Sequence, residues 1–250
     1  MDLQNPESSI LASIYQSSKQ NKKRDLYEDS LTFLNTHKID FKISYKIKTL
    51  GKTPTLVVVN HFTRPLIKRK VWLTTFDSLI TSALASVAHK KIAKRKLTWV
   101  TKNDLKTNIF FISVKMRKIQ LAVIDVYNFL GVGKHYPFNN QNKWVEYIND
   151  GYDIGFYPEA TTGTKMRPAK KRFVNILEFL KSQKMNFQVL PISIYEKNKK
   201  FYLTVNKTIK SSNNSVFISQ HTMLSIAASL PKSLRGHYKN KVSNLATTGK

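Results

Sequence analysis

From about residue 41 to residue 207 the chain alternates short apolar runs with longer stretches of helical period, and that alternation admits few folds. Thr55–Asn60 (TLVVVN) is β-branched and apolar on consecutive positions, the pattern of a strand buried on both faces. Leu121–Val126 (LAVIDV) has the same character. Asp153–Tyr157, Phe187–Ile194, Leu97–Val100 and Lys200–Lys207 also read as strands, with Pro191 expected near a strand end or at an edge. Phe41–Ile47 places Phe41, Ile43, Tyr45 and Ile47 on one face, the period of a half-buried strand. Between these runs, helical spacing covers Ser78–Arg95, 109–118, Asn140–Asn149, Ala169–Gln183 and Ser219–Ala228. Asp77 and Ser78 are good N-cap residues for the first of these helices. Residues 1–36 read as polar helix with a basic break at Lys19–Arg24. The expected fold is α/β, a mostly parallel central sheet flanked by helices. It divides into an N-terminal helical extension (1–40) and one α/β domain (41–250). In such sheets ligands sit beyond the carboxyl ends of the strands.

Composition narrows the chemistry. The 250 residues carry 42 Lys+Arg against 15 Asp+Glu, a formal net charge of +27, with 41% hydrophobic residues. A chain this apolar is not a disordered basic tail. The absence of cysteine excludes disulfides, thiolate metal sites and thiol nucleophiles, and fits a reducing compartment. The field attracts nucleic acid, anionic membrane and phosphorylated small molecules alike. No basic region followed by an apolar run marks a signal peptide, and no run reaches the roughly 18–20 apolar residues that span a bilayer. The expectation is an intracellular chain, soluble or held at a membrane surface.

Two polar clusters follow strand patterns. In Val57–His61 (VVVNH) a buried strand delivers His61 to the head of a loop, and histidine is the side chain best matched to general-base work near neutral pH. In Gly155–Thr164 the strand runs into Pro158, Glu159, Ala160 and Thr161. Small residues there expose backbone N–H groups, with Lys165 and Arg167 close by, a turn able to cradle a phosphate. His89 and His135 are expected at the surface.

These blocks, with FYPEATTGT at Phe156–Thr164, PAKKRFVNILEFL at Pro168–Leu180 and VLPISI at Val189–Ile194, resemble the glycerolipid acyltransferase family, which includes lysophosphatidic acid acyltransferases. The order and rough separation of the blocks agree over about residues 41–210. WVTKNDL (Trp99–Leu105) is similar to the family's lysine-containing segment. The resemblance implies an acyltransferase-like fold and transfer of a fatty acyl group to a lysophospholipid hydroxyl, with 1-acyl-glycerol-3-phosphate as the expected acceptor. His61 would act as general base, and a carboxylate would hold its imidazole in the useful tautomer. Glu159, Thr161 and nearby cations would hold the acceptor's phosphate. The implied donor is acyl-CoA or acyl carrier protein, with no metal or resident cofactor. The implied place is the anionic inner face of the membrane, occupied peripherally from the cytoplasm.

The chain departs from the family pattern in three places. The fifth residue after His61 is Leu66 rather than Asp; the next Asp is Asp77, sixteen after His61. An eleven-residue insertion within Phe62–Phe76 would account for the offset and let Asp77 return to His61, although an N-cap role alone also explains its position. In the second block Ala160 stands where the family has Gly, and Thr162 where it has Arg. Arg64, Lys165 or Arg167, with help from Lys102, would then replace the lost phosphate contact. Two competing expectations are a basic nucleic-acid-binding protein, for which no recognised motif occurs, and a catalytically inactive lipid-binding relative.

Overall fold

The computed structural model describes residues 6–64, 71–102, 118, 121–132, 141–160 and 163–242. In chain order it contains α1 (Pro6–Lys19), α2 (Leu26–Thr36), β1 (Asp40–Tyr45), β2 (Thr55–Val59), α3 (Val71–Lys90) and β3 (Lys96–Lys102). A helical stretch over 121–126 (α4) follows. Then come β4 (Leu130–Val132), α5 (Gln141–Asn149), β5 (Tyr152–Phe156), α6 (Lys171–Ser182), β6 (Gln188–Lys197), β7 (Lys200–Val205), β8 (Ile209–Lys210) and α7 (Ser215–Ala228). Two short 3₁₀ turns, Lys232–Leu234 and Gly236–Tyr238, follow, and the described chain ends in helical residues 239–242.

The sheet order is β1-β7-β6-β2-β5-β3-β4, with β8 on β6. Strands β6, β2, β5, β3 and β4 run parallel, while β7 pairs antiparallel to β6 and carries β1 parallel beside it. The architecture is therefore α/β with a mostly parallel sheet. Strand β2 is buried along its whole length because both faces are covered. Leu56 and Val58 pack with Phe173, Ile176 and Leu177 of α6 and with Ile218 and Met223 of α7. Val57 and Val59 pack with Ile80, Leu84 and Val87 of α3 on the other side. Helix α2 rests on that second layer through Leu34.

The N-terminal helices are tied to α4. Ile14 of α1 packs on Ala122 and Val126. Arg24 donates from Nε and one terminal nitrogen to the two oxygens of Asp29 (2.6 Å each), and the Tyr127 hydroxyl donates to Asp29 (2.6 Å).

Several expectations are corrected. Residues 121–126 are helix rather than strand, because Ala122 and Val126, four apart, form one stripe against α1. Helix α3 starts at Val71, so Asp77 lies inside it rather than capping it. His89 is 1% exposed rather than at the surface; its ring is held by Asp153. Pro191 is internal to the ten-residue strand β6, which is itself interior to the sheet. It sits where the partner on one side changes, since pairing with β8 stops at Val189 and pairing with β7 begins at Ile192. Helix α7 begins one turn earlier than expected, where the Asn214 side chain accepts from the Val216 and Phe217 N–H groups. The helix expected over 109–118, except residue 118, lies outside the described residues, as does His135. Among the described residues no helix is long and apolar enough to cross a membrane.

Candidate active site

Strands β2 and β5 are parallel neighbours, so their carboxyl ends emerge side by side. That register brings the two polar clusters together. The His61 N–H donates to Glu159 Oε2 at 2.8 Å, across a separation of 98 residues. The Arg167 N–H donates to Glu159 Oε1 at 2.7 Å. Glu159 thus serves as a bidentate backbone clasp at 2% exposure. Burial pushes its carboxyl up from 4.5 to about 7, opposed by those two backbone bonds and by the Arg167 charge. Ala160, beside it, has φ +55°, a left-handed backbone conformation that favours glycine.

Asn60 fixes the loop from the other side. Its amide donates to the Ile194 carbonyl (2.9 Å) and accepts from the Ile194 N–H (2.7 Å), extending the β2–β6 ladder with a side chain. His61 therefore leaves the sheet in a defined direction. Its ring stacks on Tyr157 with centroids 4.2 Å apart and planes 15° from parallel. The Tyr157 hydroxyl is held by Thr81 (2.8 Å) and Ser82 (2.7 Å) of α3, and Trp99 stacks next to it at 5.5 Å. A Cβ at Gly155 would lie 2.9 Å from the Trp99 ring, so only glycine leaves room for this stack.

The imidazole itself has one bonded and one free nitrogen. Nε2 lies 2.9 Å from Ser78 Oγ. Nδ1 is buried without a partner. With Nε2–H donating to Ser78, Nδ1 carries the lone pair. Burial lowers the ring's affinity for a proton, from 6.5 to about 4, so it is neutral at physiological pH. A neutral imidazole with an uncommitted lone pair can accept a proton.

The structure sorts the expected site residues. His61 and Glu159 converge. Asp77 is buried (1% exposed) one residue from Ser78, but both of its oxygens are taken by Arg64: Oδ2 by the Arg64 N–H (2.9 Å) and Oδ1 by Arg64 Nε (2.7 Å). Neither nitrogen of His61 bonds to Asp77 among the described residues. Arg64 is accordingly committed to Asp77 as well. Lys165 is exposed and lines a cavity of about 10 Å³ with His61 and Glu159, room for about one water. Phe62, Met166, Leu230 and Leu234 line its apolar side. Arg167 contributes its backbone to Glu159. Lys102 is the last residue of β3. Thr161 lies outside the described residues.

Sequence reading missed Tyr157 and Ser78, while Arg235–Tyr238 reads from the sequence as a C-terminal turn near the site. Met166 donates its N–H to the Leu234 carbonyl (2.9 Å) and accepts from the His237 N–H (3.2 Å), which lays the C-terminal turns over the cavity. Gly236 makes this possible: its φ is +48°, and a Cβ there would lie 2.1 Å from the Met166 carbonyl oxygen. The Arg-Gly-His-Tyr run was the only sequence signal for this segment, and the aromatic before Pro158 the only one for Tyr157. Compared with known proteins, the chain matches no family model and no curated relative.

Proposed function

We propose that the chain is a glycerolipid O-acyltransferase that moves a fatty acyl group from acyl-CoA or acyl carrier protein to a lysophospholipid hydroxyl, with His61 as general base. The observation that carries this reading is the convergence of His61 and Glu159. The buried, neutral imidazole presents a free nitrogen beside a carboxylate that ties both strand-end loops together. The adjoining cavity, with room for about one water, is lined by His61, Glu159 and Lys165 together with Phe62, Met166, Leu230 and Leu234. His61 Nδ1 accepts the acceptor's hydroxyl proton as the oxygen attacks the thioester carbonyl; the leaving thiol takes the proton back. The acceptor is itself the nucleophile, so no acyl-enzyme is required.

Orientation of the imidazole falls to the Tyr157 ring and the Ser78 hydroxyl in this arrangement. Asp77 holds Arg64, and through it the start of the loop that follows His61. Lys165 supplies an exposed positive charge at the cavity for an acceptor phosphate. The net charge of +27 favours peripheral attachment to an anionic membrane face, where each basic residue near the surface is worth about 1 kcal/mol.

Purified protein incubated with 1-acyl-glycerol-3-phosphate and an acyl thioester, carried by CoA or by acyl carrier protein, is expected to form the diacyl product, read by mass spectrometry. Absence of product with either donor, together with tight and salt-sensitive binding of nucleic acid, would replace this reading with the nucleic-acid one.

A further inference from the structure

The cavity beside His61 holds about one water. An acyl thioester and a lipid hydroxyl need far more room, so a wall of the cavity must move before they reach the imidazole. Part of that wall comes from the loops after β2 and β5, which are bound to each other. Glu159 accepts from the His61 and Arg167 N–H groups, the Gly163 N–H donates to the His61 carbonyl (3.1 Å), and the Thr63 N–H donates to the Gly163 carbonyl (3.0 Å). The rest of the wall, Leu230 and Leu234, comes from the chain that follows α7. That chain is pinned at Leu230 and at Tyr238, both buried in the core layer that contains Phe173 and Ile176. Between the pins, residues 231–237 form a strap joined to the body at Met166 by two main-chain hydrogen bonds, one to the Leu234 carbonyl (2.9 Å) and one from the His237 N–H (3.2 Å). Lifting the strap gives up two neutral hydrogen bonds, whereas parting the loops breaks the buried Glu159 clasp as well.

The strap has an apolar side and a basic side. Leu234 is half-buried and packs against both core layers. Lys232, Ser233 and His237 are exposed, and exposed Lys239 and Lys241 follow beyond the second pin. Residues 231–242 contain no Asp or Glu. In water, lifting the strap exposes Leu234 and strips Met166 of its partners, so the closed form is favoured. At an anionic bilayer the same movement carries Leu234 into the boundary of headgroups and acyl chains and brings the basic side onto lipid phosphates. A surface that binds the lifted strap better than the closed one shifts the balance toward opening.

We infer that an anionic lipid surface lifts the strap at residues 231–237 and so opens the His61 cavity; this rests on the acyl-transfer reading of that site. The strap is then the part of the chain that meets the membrane. Nucleic acid offers phosphates as well, but without an apolar layer to receive Leu234.

The Met166 N–H belongs to the body and is released when the strap lifts, so its hydrogen exchange reports opening without any need for catalysis. Exchange is measured on the full chain in buffer, with excess phosphatidylglycerol vesicles, with phosphatidylcholine vesicles and with a DNA duplex. Phosphatidylglycerol is expected to speed exchange at Met166 about tenfold, and phosphatidylcholine and DNA to leave it unchanged. Lys232→Glu, at an exposed position, should bring the phosphatidylglycerol effect to within about twofold of buffer. Unchanged exchange with phosphatidylglycerol, equal acceleration by phosphatidylcholine or DNA, or an undiminished effect in Lys232→Glu overturns the inference. Acyl transfer by a protein whose exchange at Met166 does not respond overturns this inference alone. Vesicle-driven exchange in a protein that transfers no acyl group supports the strap's response to lipid and overturns the acyl-transfer reading.

Discussion

Glu159 and His61 titrate in opposite senses over nearly the same pH window, so removing either one uncovers the other. Glu159 is raised from 4.5 to about 7 in the folded chain. Its contribution to stability is fully present below pH 4.5 and is lost as pH rises through about 7. At about 1.4 kcal/mol per pH unit, that interval amounts to ~3 kcal/mol. His61 is lowered from 6.5 to about 4, so its contribution is present above pH 6.5 and is lost as pH falls through about 4, again ~3 kcal/mol. The two slopes nearly cancel in the wild-type protein. Urea unfolding of wild type, Glu159→Gln and His61→Gln at several pH values separates them. Wild type minus Glu159→Gln should fall by ~3 kcal/mol from pH 4.5 to 7. Wild type minus His61→Gln should rise by ~3 kcal/mol from pH 4 to 6.5. The amide introduced by Glu159→Gln sets one donor against a backbone N–H, a pH-independent offset of about 1–3 kcal/mol. Other carboxylates drop out of the differences. Two flat differences across the window would refute the burial argument on which the neutral imidazole rests.

Three further outcomes follow from the same geometry. Asp153→Ala should destabilise the protein by about 3–5 kcal/mol in urea, because Asp153 accepts from the Thr55 N–H, from His89 and from Arg95 at 1% exposure. Ala160→Gly should raise stability by about 0.5–1 kcal/mol, since the backbone there already has φ +55°; a thermal midpoint below wild type would contradict this. Gly236→Ala should loosen the C-terminal turns from Met166, seen as faster amide exchange at Met166 and His237, whose N–H groups bond across that contact.

The strands were legible where the signal is local. Consecutive β-branched residues at Thr55–Val59 leave no polar face, which only a doubly covered strand tolerates. The same cue misled at 121–126, where six mostly apolar residues fit strand or helix and the partner α1 lies over a hundred residues upstream. Asp77 was misplaced for a related reason. Its spacing from His61 was visible, but which cation takes its carboxylate is decided by tertiary contact with Arg64. His89 looked exposed because it ends a basic stretch; its partner Asp153 is 64 residues away. The convergence of His61 and Glu159 could be anticipated because parallel strands deliver their carboxyl ends to one edge. Tyr157 and Ser78 could not, since a stacked ring and a hydroxyl on a ring nitrogen exist only after folding.

Acyl transfer by wild type and by His61→Ala, assayed side by side with both folds verified by circular dichroism, bears most directly on the central claim. Loss of the general base should lower kcat/KM about 10²–10⁴-fold. Equal rates in the two proteins would contradict the assignment of His61 as the base.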